Sequence, residues 1–217
     1  MNPQLLIIGG PNGAGKSTFS KDLSIEGALI FDADVVIAKL HSKHPGWPKE
    51  SLANAVQQEF LDNVDLALSH RMNFTIETNL RDWVLKDTID RFRDGGYEVG
   101  LAFLCLPSVE QSMDRVTQRV KNGGHFVDNP SIRYNYEEGL KNLQFFADRF
   151  DHIEIFDASD RTHGLKSLLS IKNKELSYYK VGAPLWIREV IENVAGRFRD
   201  NDQNIDYDQD RTRRPRR

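Results

Sequence analysis

Gly10-Pro11-Asn12-Gly13-Ala14-Gly15-Lys16-Ser17 has the spacing of a P-loop: glycine, four residues, glycine, lysine and a hydroxyl residue. The chemistry of that pattern is phosphate binding. Gly10, Gly13 and Gly15 let successive backbone N–H groups turn toward one anion without a Cβ clash, and the helix that follows adds the positive end of its dipole. Lys16 supplies a flexible point charge for the β- and γ-phosphates, Ser17 a hydroxyl for a magnesium ion, and Thr18 assists from the first helical turn. A glycine-rich turn without a ligand needs neither the lysine nor the serine. ATP and Mg2+ are therefore the expected cofactors.

The acids narrow the chemistry further. A motor or transporter ATPase carries paired acids at the end of an apolar strand, yet the strand ending Leu104-Cys105-Leu106-Pro107 has no carboxylate, and no Leu-Ser-Gly-Gly-Gln segment is present. Acids stand instead at Asp32 and Asp34, closing one short apolar run, and at Glu77, closing the next. In an open parallel sheet such strand ends lie beside the P-loop. A carboxylate there can accept the proton of an attacking hydroxyl, which is the work of a small-molecule kinase. Asp34 is the candidate base and Asp32 the alternative, since alternation along a strand aims both at one face. The plainer role for Asp34 is to cap a helix over 35–40.

Phosphoryl transfer also needs positive charge above the phosphates. Arg115, Arg119 and Arg133 bracket the glycine-rich segment 121–130, which reads as a lid that closes over the nucleotide and excludes water. A solvated basic helix face would account for Arg115 equally well. His125, between Gly124 and Phe126, is placed to contact substrate or to cap the lid. His41 and His44 have no matching acids or thiols nearby, so a structural metal site is not expected.

These side chains must be carried by alternating strands and helices. Apolar runs at 4–8, 28–31, 74–77, 97–106 and 153–156 predict five strands, and helical spacing predicts helices over 16–24, 49–68, 83–94, 108–121 and 130–150. That order implies an α/β, three-layer P-loop NTPase-type fold with a mostly parallel five-stranded sheet and a helical lid at about 115–135. A kinase core then spans 1–160. Residues 161–198 form an appendage with a possible hairpin across Lys172-Asn173-Lys174 and a helix over 184–198. The stretch 199–217, with five Asp and six Arg, reads as a disordered charged tail. A cleft open to a second substrate should be lined by 47–52 and by 77–83.

Composition excludes several classes. With 217 residues and a net charge of −3, the chain has room for one core and no global field that would draw it to nucleic acid or anionic lipid. Cys105 is the single cysteine, so no internal disulfide forms, which fits a reducing compartment. The apolar run ending at Leu106 is too short to span a bilayer, and the first residues lack the basic region of a secretion signal. The expectation is a soluble, cytoplasmic protein with no membrane partner.

Taken together, the run from Gly9 to Thr18, the Asp32-Ala33-Asp34 strand end, Glu77-Thr78-Asn79 and the segment from Arg115 to Arg133 resemble the zeta-toxin family of P-loop kinases. Studied members are the toxin halves of bacterial toxin–antitoxin pairs and phosphorylate the sugar of UDP-N-acetylglucosamine. The resemblance, over about 5–156, implies Lys16 as the phosphate lysine, Ser17 as the magnesium ligand and Asp34 as the catalytic base. It implies Arg119 and Arg133 as the arginines that grip the phosphates, Glu77 as a substrate contact and an antitoxin protein as a partner; Asp32, Asn79 and His125 are further candidate substrate contacts by their place in the chain. Glu77 falls on the glutamate of the family's Glu-Gly-Thr motif, but Thr78 and Asn79 follow it here, as in a compact branch of the family. Two other readings compete: a kinase of the same fold acting on a nucleoside or nucleic-acid end, which the net acidity disfavours, and a nucleotide-gated binding module without transfer.

Overall fold

The structure, a computed structural model, describes residues 2–82 and 84–199 together with the backbone of 206–207 and 212–213. The apolar run after Pro3 becomes β1 (Gln4–Gly9), whose side chains alternate between two cores: Leu5 and Ile7 face one, Leu6 and Ile8 the other. A strand buried on both sides is what a continuous apolar run requires. The chain continues through α1 (Lys16–Leu23), β2 (Leu29–Asp32), α2 (Ala33–Lys43), α3 (Lys49–His70), β3 (Phe74–Glu77), α4 (Lys86–Asp94) and β4 (Glu98–Cys105). Next come α5 (Val109–Lys121), α6 (Asn129–Phe145), β5 (His152–Asp157), β6 (Leu165–Lys172), β7 (Glu175–Tyr179) and α7 (Leu185–Gly196).

The sheet runs β2-β3-β1-β4-β5, all parallel, as the alternation of elements predicts. It does not stop at five strands. β6 and β7 extend it antiparallel, so the segment expected as an appendage at 161–198 continues the same sheet. The hairpin turns at Asn173 and Lys174, both with positive φ (51° and 63°), and pairs Lys172 with Glu175. Consecutive left-handed residues match the twist of a two-residue hairpin. Two-residue strands β8 (Asp206–Tyr207) and β9 (Thr212–Arg213) lie against β7 and β6. The rest of the expected tail falls outside the described residues, as does Trp83.

Helices α3, α4 and α7 pack Val64, Ile89, Phe92, Ile187 and Ile191 against one face of the sheet, and Phe19 of α1 packs on the other. This is the three-layer arrangement expected. The strand order places β1 between β3 and β4, where the direction of winding reverses, and the crevice of such a sheet opens at the carboxyl ends of the strands. Register completes the positioning: Glu77 stands beside Ile8 on one side and Asp32 on the other. No described helix is long and apolar enough to cross a membrane.

Candidate phosphate-binding and transfer site

The loop after β1 is held in its shape by close approaches that only glycine permits. Gly10 has φ 139°, and a Cβ there would meet the Leu104 carbonyl oxygen at 2.4 Å. At Gly13, φ 77°, a Cβ would lie 2.7 Å from that of Arg115. Gly15, φ 95°, is the N-cap of α1 and has no side chain to cap it; its carbonyl accepts from the Thr18 amide at 3.0 Å, which leaves the amides of Lys16 and Ser17 to face an anion. Pro11 and Ala14 close the turn through a 3.2 Å backbone bond. Buried Asn12 is tied to α5 by the Ser112 hydroxyl, which donates to its carbonyl, and to α6 by Asn135 Nδ2, which donates to its Oδ1 at 2.8 Å.

Lys16 bends back over this loop. Its ammonium donates to the carbonyls of Gly10 (2.8 Å) and Pro11 (3.2 Å) and to Asn79 Oδ1 (2.8 Å). Burial lowers its pKa from 10.5 to about 8, against the opposing fields of Glu77, Asp34 and Asp32. The Ser17 hydroxyl lies 2.9 Å from Asp32 Oδ2 and 2.8 Å from Glu77 Oε2, and its one hydrogen serves one carboxylate at a time. Burial and the neighbouring Asp32 both raise the Glu77 pKa. Two carboxylates converging on one hydroxyl form a hard-oxygen set of the kind that holds Mg2+ together with phosphate oxygens. The residues therefore fit that ion, and Asp32 and Glu77 join Ser17 as candidate ligands.

Asp32 and Asp34, equivalent in the sequence, differ here. β2 ends at Asp32, whose Oδ1 accepts from the amides of Asp34 (2.8 Å) and Val35 (3.4 Å) and so caps α2. The cap expected of Asp34 thus belongs to Asp32. Asp34 lies in the first helical turn, where strand alternation does not apply; it is exposed and lines the cleft.

The arginines also separate. Arg119 lines the cleft, and its Nη2 donates to the His125 carbonyl at 2.9 Å, while its Nε is buried without a partner. Arg115 lines the cleft too but is only 7% exposed, and its guanidinium donates to the carbonyls of Gly13 (3.2 Å), Ala158 (2.9 Å) and Ser159 (2.6 Å). Arg115 thus clamps the P-loop to the turn after β5 from the wall of the same cleft. Arg133 does not reach the cleft. It sits on the outer face of α6, 3.7 Å from Glu137, because a helix that turns Asn135 inward turns Arg133 outward. His125 is exposed and contributes its carbonyl, not a ring, to the site.

The cleft holds about 940 Å³, at the upper end for a ligand pocket. Arg81 and Asp82, inside the 77–83 stretch expected on the wall, line it, and so do Asn135 and Arg161. Arg81 follows Asn79 by two residues in the loop expected to line the cleft, whereas Asn135 and Arg161 had no motif to announce them. The 47–52 stretch, expected on the wall, does not line the cleft; Trp47 stacks on His44 at 4.0 Å.

Comparison with known proteins gives a family match, described as zeta toxin, over residues 1–169. An uncharacterized protein of Haemophilus influenzae is 23% identical over 137 residues, covering 63% of this chain and 94% of its own. Among solved structures, a chain from the PezAT chromosomal toxin–antitoxin system of Streptococcus pneumoniae superposes with TM-score 0.60 at 19% identity, covering 90% of this chain and 85% of that one. A chain of the AvrRxo1-ORF1:-ORF2 structure with ATP gives TM-score 0.62 at 16% identity, covering 94% of this chain and 66% of its own. At these identities the structures establish likeness of fold.

Proposed function

The chain belongs to the zeta-toxin family, and from that premise we propose that it is an ATP- and magnesium-dependent kinase transferring the γ-phosphate to a hydroxyl of a nucleotide sugar such as UDP-N-acetylglucosamine. The observation that carries this reading is the meeting of Lys16, Ser17, Asp32, Glu77 and Asp34 on one cleft at the carboxyl edge of the sheet. Lys16 and the open amides of α1 hold the phosphate chain. Ser17, Asp32 and Glu77 would hold Mg2+, which when bound supplies charge neutralisation at the phosphate oxygens. Asp34, free in the cleft wall, accepts the proton of the acceptor hydroxyl at its carboxylate. Arg119, aimed by the His125 carbonyl, offsets the charge of the transferring group, and the 122–128 segment shields it from water.

A family of toxins, and a structural relative described as part of a toxin–antitoxin system, support an antitoxin protein as partner, covering the cleft in the cytoplasm where ATP is available. The test is incubation with labelled ATP and either UDP-N-acetylglucosamine or a metabolite extract, with the product identified by mass. A phosphorylated sugar nucleotide that vanishes with Lys16→Ala is the expected result. Label on a nucleoside or nucleic-acid end would replace the acceptor, and ATP binding without label on any acceptor would replace the enzyme by a binding module.

A further inference from the structure

The ammonium of Lys16 already has three acceptors, as many as it has hydrogens. Two are carbonyls of the P-loop itself. The third, Asn79 Oδ1, comes from the loop after β3 and lies 2.8 Å away. A phosphate oxygen can be bound by this lysine only if one of the three is released.

The loop that presents Asn79 is fixed. Leu80 is 1% exposed and takes a left-handed φ of 55°, a conformation that costs energy in a residue with a Cβ and persists only where its surroundings impose it. Thr78 Oγ1 accepts from the Leu80 amide at 3.0 Å, and Asn142 Nδ2 of α6 donates to the Leu80 carbonyl at 2.9 Å. Gly139 of α6 packs so closely on this loop that a Cβ there would meet the Asn79 carbonyl oxygen at 2.6 Å. The amide of Asn79 is thus held against the lysine by a rigid support, while the P-loop carbonyls move only with the loop that binds the anion.

We propose that Asn79 is a positioning residue for Lys16: its side-chain oxygen occupies, in the free protein, the place that a phosphate oxygen takes on nucleotide binding. This rests on the nucleotide reading of the cleft. A neutral amide suits the task because it satisfies a buried ammonium yet can be displaced by an anion. It also keeps Lys16 on the loop instead of letting it fall onto Glu77 or Asp34, whose fields both act on it.

The consequence is an opposition between stability and affinity. Asn79→Ala removes a partner from a buried ammonium, so the melting temperature falls. It also removes the group that phosphate must displace, so the β,γ-imido analogue of ATP, titrated with Mg2+ by calorimetry, binds about fivefold tighter, the worth of one ordinary hydrogen bond. A residue that merely supported the loop would weaken binding along with stability. Asn79→Leu keeps the side-chain volume without the acceptor and gives the same sign, which covers an alanine variant that does not fold. Affinity that falls, or stays within twofold, in a folded variant overturns the proposal. Lys16→Ala separates the two claims: if it binds the analogue as the parent does, or if the parent does not bind, the nucleotide reading fails and this inference fails with it.

Discussion

Replacing Asp32 and Asp34 one at a time separates two carboxylates that stand two residues apart and do different work. Asp32 Oδ1 caps α2 through two backbone amides, and Oδ2 lies on the Ser17 hydroxyl. Losing an N-cap costs about 1 kcal/mol, and at roughly 2–4 °C per kcal/mol for a domain of this size Asp32→Ala should melt about 2–4 °C lower. Asp32→Asn preserves the cap, because Asn caps as well as Asp. It removes the charge beside Ser17, so its melting temperature stays put while the magnesium needed for half-maximal transfer rises. Asp34 is exposed and bonds nothing through its side chain among the described hydrogen bonds, so Asp34→Ala should leave the melting temperature within about 1 °C of the parent. Loss of a general base should slow transfer by about 10²–10⁴ while the KM for ATP changes less than about twofold. Calorimetric melting and initial rates of label transfer measure both arms. Asp34→Ala that retains more than a tenth of the transfer rate, or Asp32→Ala that melts with the parent, would refute the division of labour.

Arg115→Ala should behave as a stability variant: three carbonyls lose a charged donor, a cost of about 3 kcal/mol, so the melting temperature should fall about 6–12 °C, whereas Arg133→Ala should leave both melting and transfer unchanged in the same assays. Lys16 sets a pH dependence. Its pKa falls from 10.5 to about 8 in the folded protein, so between those values the unfolded chain binds the extra proton and stability of the free protein rises with pH. Anion binding needs the charged ammonium and moves the other way. Affinity for the β,γ-imido analogue should weaken about tenfold from pH 7 to pH 9, a slope that Lys16→Met should abolish; a flat profile in the parent would contradict the burial of this lysine.

The amino-acid sequence determined by itself whatever depends on neighbours along the chain. The P-loop was legible because its glycines, lysine and serine act within one turn, the strand before it because both its faces are apolar, and the hairpin because Asn173 and its flanking runs carry a local turn signal. Asp32 and Glu77 were found as strand-end acids for the same reason. What tertiary structure decided were matters of rotation and register. One residue in the end of β2 divides Asp32 from Asp34. The rotation of α6 about its axis turns Asn135 into the cleft and Arg133 out to solvent, although both lie within one helical turn. Arg115 and Arg119 share a helix face, yet the turn after β5 supplies carbonyls that consume only the first. Asn79 meets Lys16 across 63 residues because β3 lies beside β1, a pairing that no local pattern encodes, since strand order is settled by which apolar faces bury one another.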